Sequence, residues 1–232
     1  MDLAELLLDI ANKYVVEGNP ESGDIFKTYK DKTYIIRANV KQAFYDDFSA
    51  VYENMYWDYI DSYDIPYKSS NHRNLYSRIW NEIRDEPPFN LILAMWKTIR
   101  RNISTAYVVF HDSVNFLAVI VKGRSGQMNL PGGKMELSDN NDLFETARRE
   151  TKEELGLNIE TYDNVYEHTF SNRVVVAFEI RYRWGGLPKD MSYSNELDGY
   201  LYIPWKMLNQ KMVRNKFGSV QLKLLDRVHH KI

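Results

Sequence analysis

Apolar positions near the start of the chain fall at helical intervals. Leu3, Leu6, Leu7, Ile10 and Tyr14 would share one face, which predicts an amphipathic helix over residues 2–16. Gly18-Asn19-Pro20 stops it. Residues 33–40, rich in β-branched and aromatic side chains, read as a strand. From Lys41 to Asn102 the helical interval returns, with Phe44, Phe48, Tyr52, Met55, Tyr56 and Tyr59 in one aromatic stripe. Breaks at Asp64-Ile65-Pro66 and at Pro87-Pro88 divide this stretch into roughly three helices. The stripe is most simply a core face; a surface that stacks a nucleobase is the other reading.

At Ser104 the pattern changes to short strand-like runs. Residues 106–110 and 116–121 are two of them, with a hairpin turn expected at His111-Asp112-Ser113-Val114-Asn115. A loop over 122–130 leads to Pro131-Gly132-Gly133-Lys134, and a helix is expected from about Asn141 to Leu155, stopped by Gly156. Strands follow at 165–169, 173–184 and 200–205, then a last helix over 218–229. Two parts are therefore expected: a mainly helical region, 1–102, and a catalytic domain, 103–232, that ends in a basic helix.

The length of 232 residues and the 44% hydrophobic content suit a globular catalytic domain with an extension. Cysteine is absent, which excludes disulfides, cysteine-bound zinc and a thiol nucleophile. The opening residues are acidic and interrupted by charge, unlike a signal peptide, and no run approaches the roughly 18–20 apolar residues that span a bilayer. A soluble cytoplasmic protein with no membrane partner is expected, in the host-cell cytoplasm if the source is viral. The overall charge, −2, names no partner, but its distribution is uneven. Residues 206–232 carry 7 Lys+Arg against 1 acidic residue, and Lys206, Lys211, Arg214, Lys216, Lys223, Arg227 and Lys231 form either a solvated helix or a track for RNA phosphates. His111, His168, His229 and His230 show no metal-ligand spacing and suit surface or core roles.

The chemistry-bearing segment runs from Gly132 to Leu157. Glu150, Glu153 and Glu154 stand at i, i+3 and i+4, within a sector of roughly 100° on one helix face. Such carboxylates repel one another, and near a helix C-terminus the macrodipole adds to the penalty. A hard divalent cation relieves both. Leu143, Phe144, Ala147, Thr151 and Leu155 would face a sheet, and Gly132 and Gly133 permit close backbone approach to a phosphate or metal. That combination suits metal-assisted attack of water on a pyrophosphate.

The segment resembles the Nudix box: a glycine, a glutamate-containing spacer, then Arg-Glu-aliphatic-x-Glu-Glu-x-Gly-aliphatic. Arg149 to Leu157 reproduces the spacing of the closing run. Three departures stand out. The spacer from Gly133 to Arg149 is about two residues longer than the family's. Asp139 replaces the usual glutamate, with Glu136, Asp142 or Glu145 as substitutes, and Thr151 takes the aliphatic place. The resemblance implies the Nudix fold, an α+β chain arranged as an α/β/α sandwich, behind an N-terminal helical domain. It also implies magnesium or manganese as cofactor, held by Glu150, Glu154 and the Gly133 or Gly132 carbonyl. Glu153 would bind a second metal or help deprotonate water, and Arg149 would orient the glutamates. Glu196, just before a late strand, is the candidate general base. Gly132, Lys134, Lys216 and Lys223 are candidates for phosphate contact. The helical extension and basic end are similar to messenger-RNA decapping Nudix enzymes of large DNA viruses. Such viruses also carry Nudix proteins described as ADP-ribose pyrophosphatases. Capped RNA is therefore the first expected substrate and methylated guanosine diphosphate its product. A small diphosphate is the second (ADP-ribose, a dinucleotide or a diphosphoinositol phosphate), and non-catalytic RNA or nucleotide binding the third. The sequence leaves the oligomeric state open.

Overall fold

The computed structural model describes residues 3–63, 77–78, 80–81, 84, 86–112, 117–123, 126–170, 172–182, 187–188, 191–192 and 197–229. Two compact units divide the chain, Met1–Asn102 and Ile103–Ile232.

In the first unit the opening helix, α1 (Leu3–Tyr14), passes directly into β1 (Val15–Glu17). β1 pairs with β3 (Lys32–Ile36), which also pairs with β2 (Ile25–Tyr29), giving a three-stranded antiparallel sheet. Only the third of these strands was legible in the sequence, because β1 and β2 are short and mostly exposed. α2 (Lys41–Tyr63) and α3 (Phe89–Asn102) carry the aromatic stripe and its partner face. Phe44, Phe48, Tyr52 and Met55 are buried. Phe48 lies 5.9 Å from Trp96 and 6.5 Å from Phe89, ring centre to ring centre. The stripe is thus core wherever it is described; the side chains of Tyr56 and Tyr59 lie outside the described residues. So do the break at 64–66 and most of the expected middle helix.

The second unit is built on a seven-stranded sheet. Its strands are β4 (Thr105–Asp112), β5 (Leu117–Gly123), β6 (Met128–Asn129), β7 (Gly132–Lys134), β8 (Asn164–Phe170), β9 (Arg173–Tyr182) and β10 (Leu197–Pro204). The order is β10-β5-β4-β9-β8, with β6 on β5 and β7 on β4. β4 and β9 run parallel from Thr105↔Val175 to Asp112↔Tyr182; the other pairings are antiparallel. On its other side β4 pairs with β7 at residues 105–107 and with β5 only at His111 and Asp112.

Alternation along β4 assigns its side chains to two layers. Ala106, Val108 and Phe110 enter a core closed by Ala147 and Leu155 of α4 (Leu143–Leu155). Val109 joins Leu224, Leu225 and Val228 of α7 (Ser219–His229) in the core on the opposite face. Two short turns of helix, α5 (Trp205–Leu208) and α6 (Lys211–Arg214), pack in that second core through Trp205, Leu208 and Val213. The result is a sheet between helical layers. One expectation needs correction in part: β4 and β5 pair antiparallel as a hairpin would, but His111 and Asp112 belong to the buried end of β4, at 0% and 3% exposure, and Ser113, Val114 and Asn115 lie outside the described residues.

Candidate active site

The bend entering β7 sits on the first residues of β4, where Tyr107 faces Gly132 and Ala106 faces Gly133. Gly132 has φ +135°, and a Cβ there would run into the Ala106 carbonyl and the Tyr107 backbone. A Cβ on Gly133 would fall on the carboxyl group of Glu150. Both positions need glycine, one for its backbone and the other for the carboxylate it admits.

The acid-bearing helix α4 is started by Asp142, whose side chain accepts from the Phe144 N–H at 2.8 Å. It ends at Gly156, in the left-handed conformation at φ 67°. Ala147, Thr151 and Leu155 are buried against the sheet, and this seat rotates Glu150 and Glu154 toward the bend. Glu154 Oε2 accepts from the Gly132 N–H at 2.8 Å, while Glu150 lies against Gly133. Glu153 stands apart, its side chain 58% exposed against 17% for Glu150. The three carboxylates share a helix face, but only two touch the bend.

Arg149 ties the acids together. Its Nε and Nη2 donate to the two oxygens of Asp139 at 3.0 and 3.1 Å, and Nη2 also donates to the Lys134 carbonyl at 2.9 Å. Nη1 donates to Glu150 at 3.0 Å and to Glu153 at 3.2 Å, with Glu136 at 3.5 Å. Asp139, 2% exposed, also accepts from the Glu136 N–H at 2.8 Å and from the Thr146 hydroxyl at 2.9 Å. Of the four acids that could stand for the family's spacer glutamate, it is Asp139 that forks onto Arg149. Asp142 caps the helix, and Glu145 pairs with Arg148 at 2.7 Å. The longer spacer is absorbed by Asn140 and Asn141, both left-handed at φ 53° and 61°. Asparagine tolerates that region better than most residues. A cleft of about 630 Å³ opens beside this cluster, lined by Asp139, Arg148, Arg149, Lys152, Glu153 and Asn158 among others.

The electrostatics are unbalanced in favour of acid. Burial pushes Glu150 up to about 7, Arg149 opposes the shift, and Glu153 adds to it. Burial works against the Arg149 charge too, but the Asp139, Glu150 and Glu136 carboxylates outweigh it and hold the guanidinium above its ordinary value. Among the described residues no three acidic or histidine side chains converge on one point. Magnesium does not require that, because it commonly takes one or two carboxylates and fills its shell with water and substrate phosphate. Two carboxylate groups on adjacent residues of a glycine bend, one of them buried at energetic cost, fit a hard divalent cation by charge and donor type.

Other residues singled out in the sequence disperse. Lys134 follows the bend in β7, and its carbonyl serves Arg149. Lys216 is exposed, and its carbonyl accepts from the Met128 N–H at 3.0 Å, which places it beside the strand leading into the bend. Lys223 is exposed on α7. Arg214 pairs with Asp226 at 2.8 and 2.9 Å, and Arg227 donates to the Glu167 carbonyl. Glu196, His230 and Lys231 lie outside the described residues. Sequence reasoning missed Gln221, which reaches residues 129 and 130 from α7, and Glu179, a buried acid in an apolar strand. The second carried a readable signal: a lone carboxylate between Phe178 and Ile180 needs buried partners.

Comparison with known proteins matches residues 101–222 to the family model of the NUDIX domain. No curated protein matches the chain. Similar solved structures include the MutT protein from Methanosarcina mazei Go1, at 19% identity over 56% of this chain and 94% of that one, TM-score 0.41. A C. elegans Ap4A hydrolase binary complex is 16% identical over 55% and 96%, TM-score 0.43. The NUDIX domain of Shewanella oneidensis NrtR complexed with ADP ribose is 13% identical over 56% and 87%, TM-score 0.41.

Proposed function

The chain belongs to the NUDIX domain family and is a hydrolase of that family, and we propose that it cuts the phosphoanhydride bridge of the messenger-RNA 5′ cap, releasing a methylated guanosine diphosphate. The observation that carries the hydrolytic part is the meeting of the Glu150 and Glu154 carboxylates with the Gly132-Gly133 bend. Glu150, Glu154 and the Gly133 carbonyl would hold magnesium or manganese, which when bound would supply Lewis-acid polarisation of the bridge and lower the pKa of the attacking water.

This chain's own residues do the rest. The Lys134 side chain receives phosphate oxygens next to the carboxylates, while the Gly132 N–H, expected to meet phosphate, holds Glu154 in place. Arg149 is seated by its fork on Asp139, a geometry lysine lacks, and its Nη1 then fixes the directions of Glu150 and Glu153. Glu153, exposed at the edge of the cleft, accepts the proton of the attacking water as the new phosphorus–oxygen bond forms and the bridging bond breaks. Glu196 is the other candidate for that proton.

The preference for a polyanionic substrate over a small one rests on the basic end. Arg214 and Arg227 are engaged internally, but Lys206, Lys211, Lys216 and Lys223 are exposed, and Lys216 flanks the entry to the bend. Such a series suits a phosphate chain. The experiment is incubation with capped RNA and with ADP-ribose, each with magnesium or manganese. Methylated guanosine diphosphate is the expected product. AMP and ribose phosphate would instead assign a small diphosphate, and no turnover of any diphosphate would favour a binding module. Glu150→Gln, Glu153→Gln and Glu154→Gln together abolish turnover; Glu196→Gln and Glu153→Gln, made singly, separate the two candidate bases.

A further inference from the structure

Residues 128–131 deliver the backbone to the glycine bend, and they are gripped from the C-terminal side of the same unit. The Met128 N–H donates to the Lys216 carbonyl at 3.0 Å. Beyond Asn129 the chain leaves β6, so Leu130 has no strand neighbour to accept from its N–H, yet Leu130 is fully buried. Gln221, on α7 and 7% exposed, supplies the acceptor: its Oε1 takes the Leu130 N–H at 3.2 Å. Its Nε2 donates to the Asn129 side-chain oxygen at 3.3 Å. On the opposite side, the Pro131 carbonyl accepts from the Val108 N–H at 2.7 Å.

We propose that Gln221 is a positioning residue for hydrolysis, a latch from α7 that fixes residues 129–130 and thereby the placement of Gly132 and Gly133 against Glu154 and Glu150. A carboxamide suits the task because it offers an acceptor and donors together, so one side chain meets both a buried N–H and the Asn129 oxygen. An apolar residue would fill the space and leave the Leu130 N–H buried without a partner. The bend would then settle elsewhere, and displacements of about 1 Å at a catalytic centre cost on the order of 100-fold in rate. The inference rests on the hydrolase reading of the bend, but the latch itself can be measured without turnover.

The test uses the full chain with Gln221→Met and Gln221→Glu. Glutamate keeps the acceptor for Leu130 and loses the donors, so it should recover part of what methionine loses. In Gln221→Met, amide hydrogen exchange at Leu130 and Gly132 is expected to quicken about tenfold or more, with Phe178 unchanged. The kcat on the substrate that the wild type cleaves is expected to fall about 10- to 100-fold, with KM within about twofold. Titration with manganese alone should show weaker binding. Unchanged exchange at residues 130–132, with or without a fall in kcat, would overturn the latch. An inactive wild type whose bend nonetheless loosens in Gln221→Met would overturn the hydrolase reading and uphold the latch.

Discussion

At Gly133 the added methyl of alanine meets a carboxyl group, so the cost of that substitution falls on chemistry more than on folding. Gly133→Ala is expected to lower kcat on the order of 100-fold while the melting temperature moves little, read by steady-state kinetics beside calorimetry. Thr151 offers the reverse trade. It is fully buried in α4, and its hydroxyl has no hydrogen-bond partner among the described residues. Valine has nearly the same shape without the orphaned oxygen. Thr151→Val should stabilise the protein by about 1 kcal/mol, seen in urea melts, with activity retained. The aliphatic residue expected at this place from the family pattern is the one the packing prefers. Residue-level legibility was good where the constraint is local. The carboxylates at i, i+3 and i+4, and the glycines, could be read directly from spacing. The choice of Asp139 as the Arg149 partner could not, because it depends on two left-handed asparagines that no hydrophobic pattern encodes.

Elements were legible in proportion to their length. α4 and its stop at Gly156, α7 and β9 emerge from period and composition, whereas β6 and β7 have two and three residues and carry no period at all. The misreading at His111 has a different origin. A polar pair, His111-Asp112, looks like a turn until β9 brings Glu179 alongside, 68 residues later, with His111 Nε2 and Glu179 Oε1 2.8 Å apart. Glu179 also accepts from the Tyr166 hydroxyl at 2.7 Å, the Asn164 amide at 2.8 Å and the Arg181 guanidinium at 2.5 Å. Burial alone would raise its pKa, but these donors outweigh burial and bring it to about 2. Burial keeps His111 below its ordinary value, hence neutral. A depressed carboxylate stabilises the fold above its unfolded pKa of about 4.5 and loses that contribution as pH falls toward 2. Glu179→Gln is therefore expected to cost a few kcal/mol at pH 7. That difference from wild type should shrink steadily between about pH 4.5 and pH 2 in chemical-denaturation curves.

For the molecule as a whole, the change of pattern at Ser104 led to an expected division into 1–102 and 103–232, and the compact units are Met1–Asn102 and Ile103–Ile232. The three-stranded sheet of the first unit went unread apart from β3. Among the described residues no helix is long and apolar enough to cross a membrane. The basic end is also part of the second unit's core, through Phe217, Leu224, Leu225 and Val228, so deleting it would unfold what it is meant to probe. Charge removal is the better test: Lys206, Lys211, Lys216 and Lys223, all changed to Gln. If these lysines neutralise RNA phosphates, the slope of log affinity against log salt should flatten by about 0.7 for each phosphate that loses its lysine. Binding curves at several ionic strengths measure it. The buried apolar positions of α7 stay as they are, so stability is expected to hold.

The register of β4 has one more outcome, in the order of events during synthesis. Its parallel partner begins at Arg173, and the carboxamide that meets Leu130 arrives only at position 221. Ribosomes therefore deliver the helix of glutamates before the β9 part of its seat exists. Until translation has passed residue 221, an emerging polypeptide holds the acids without the contact that Gln221 makes to Leu130.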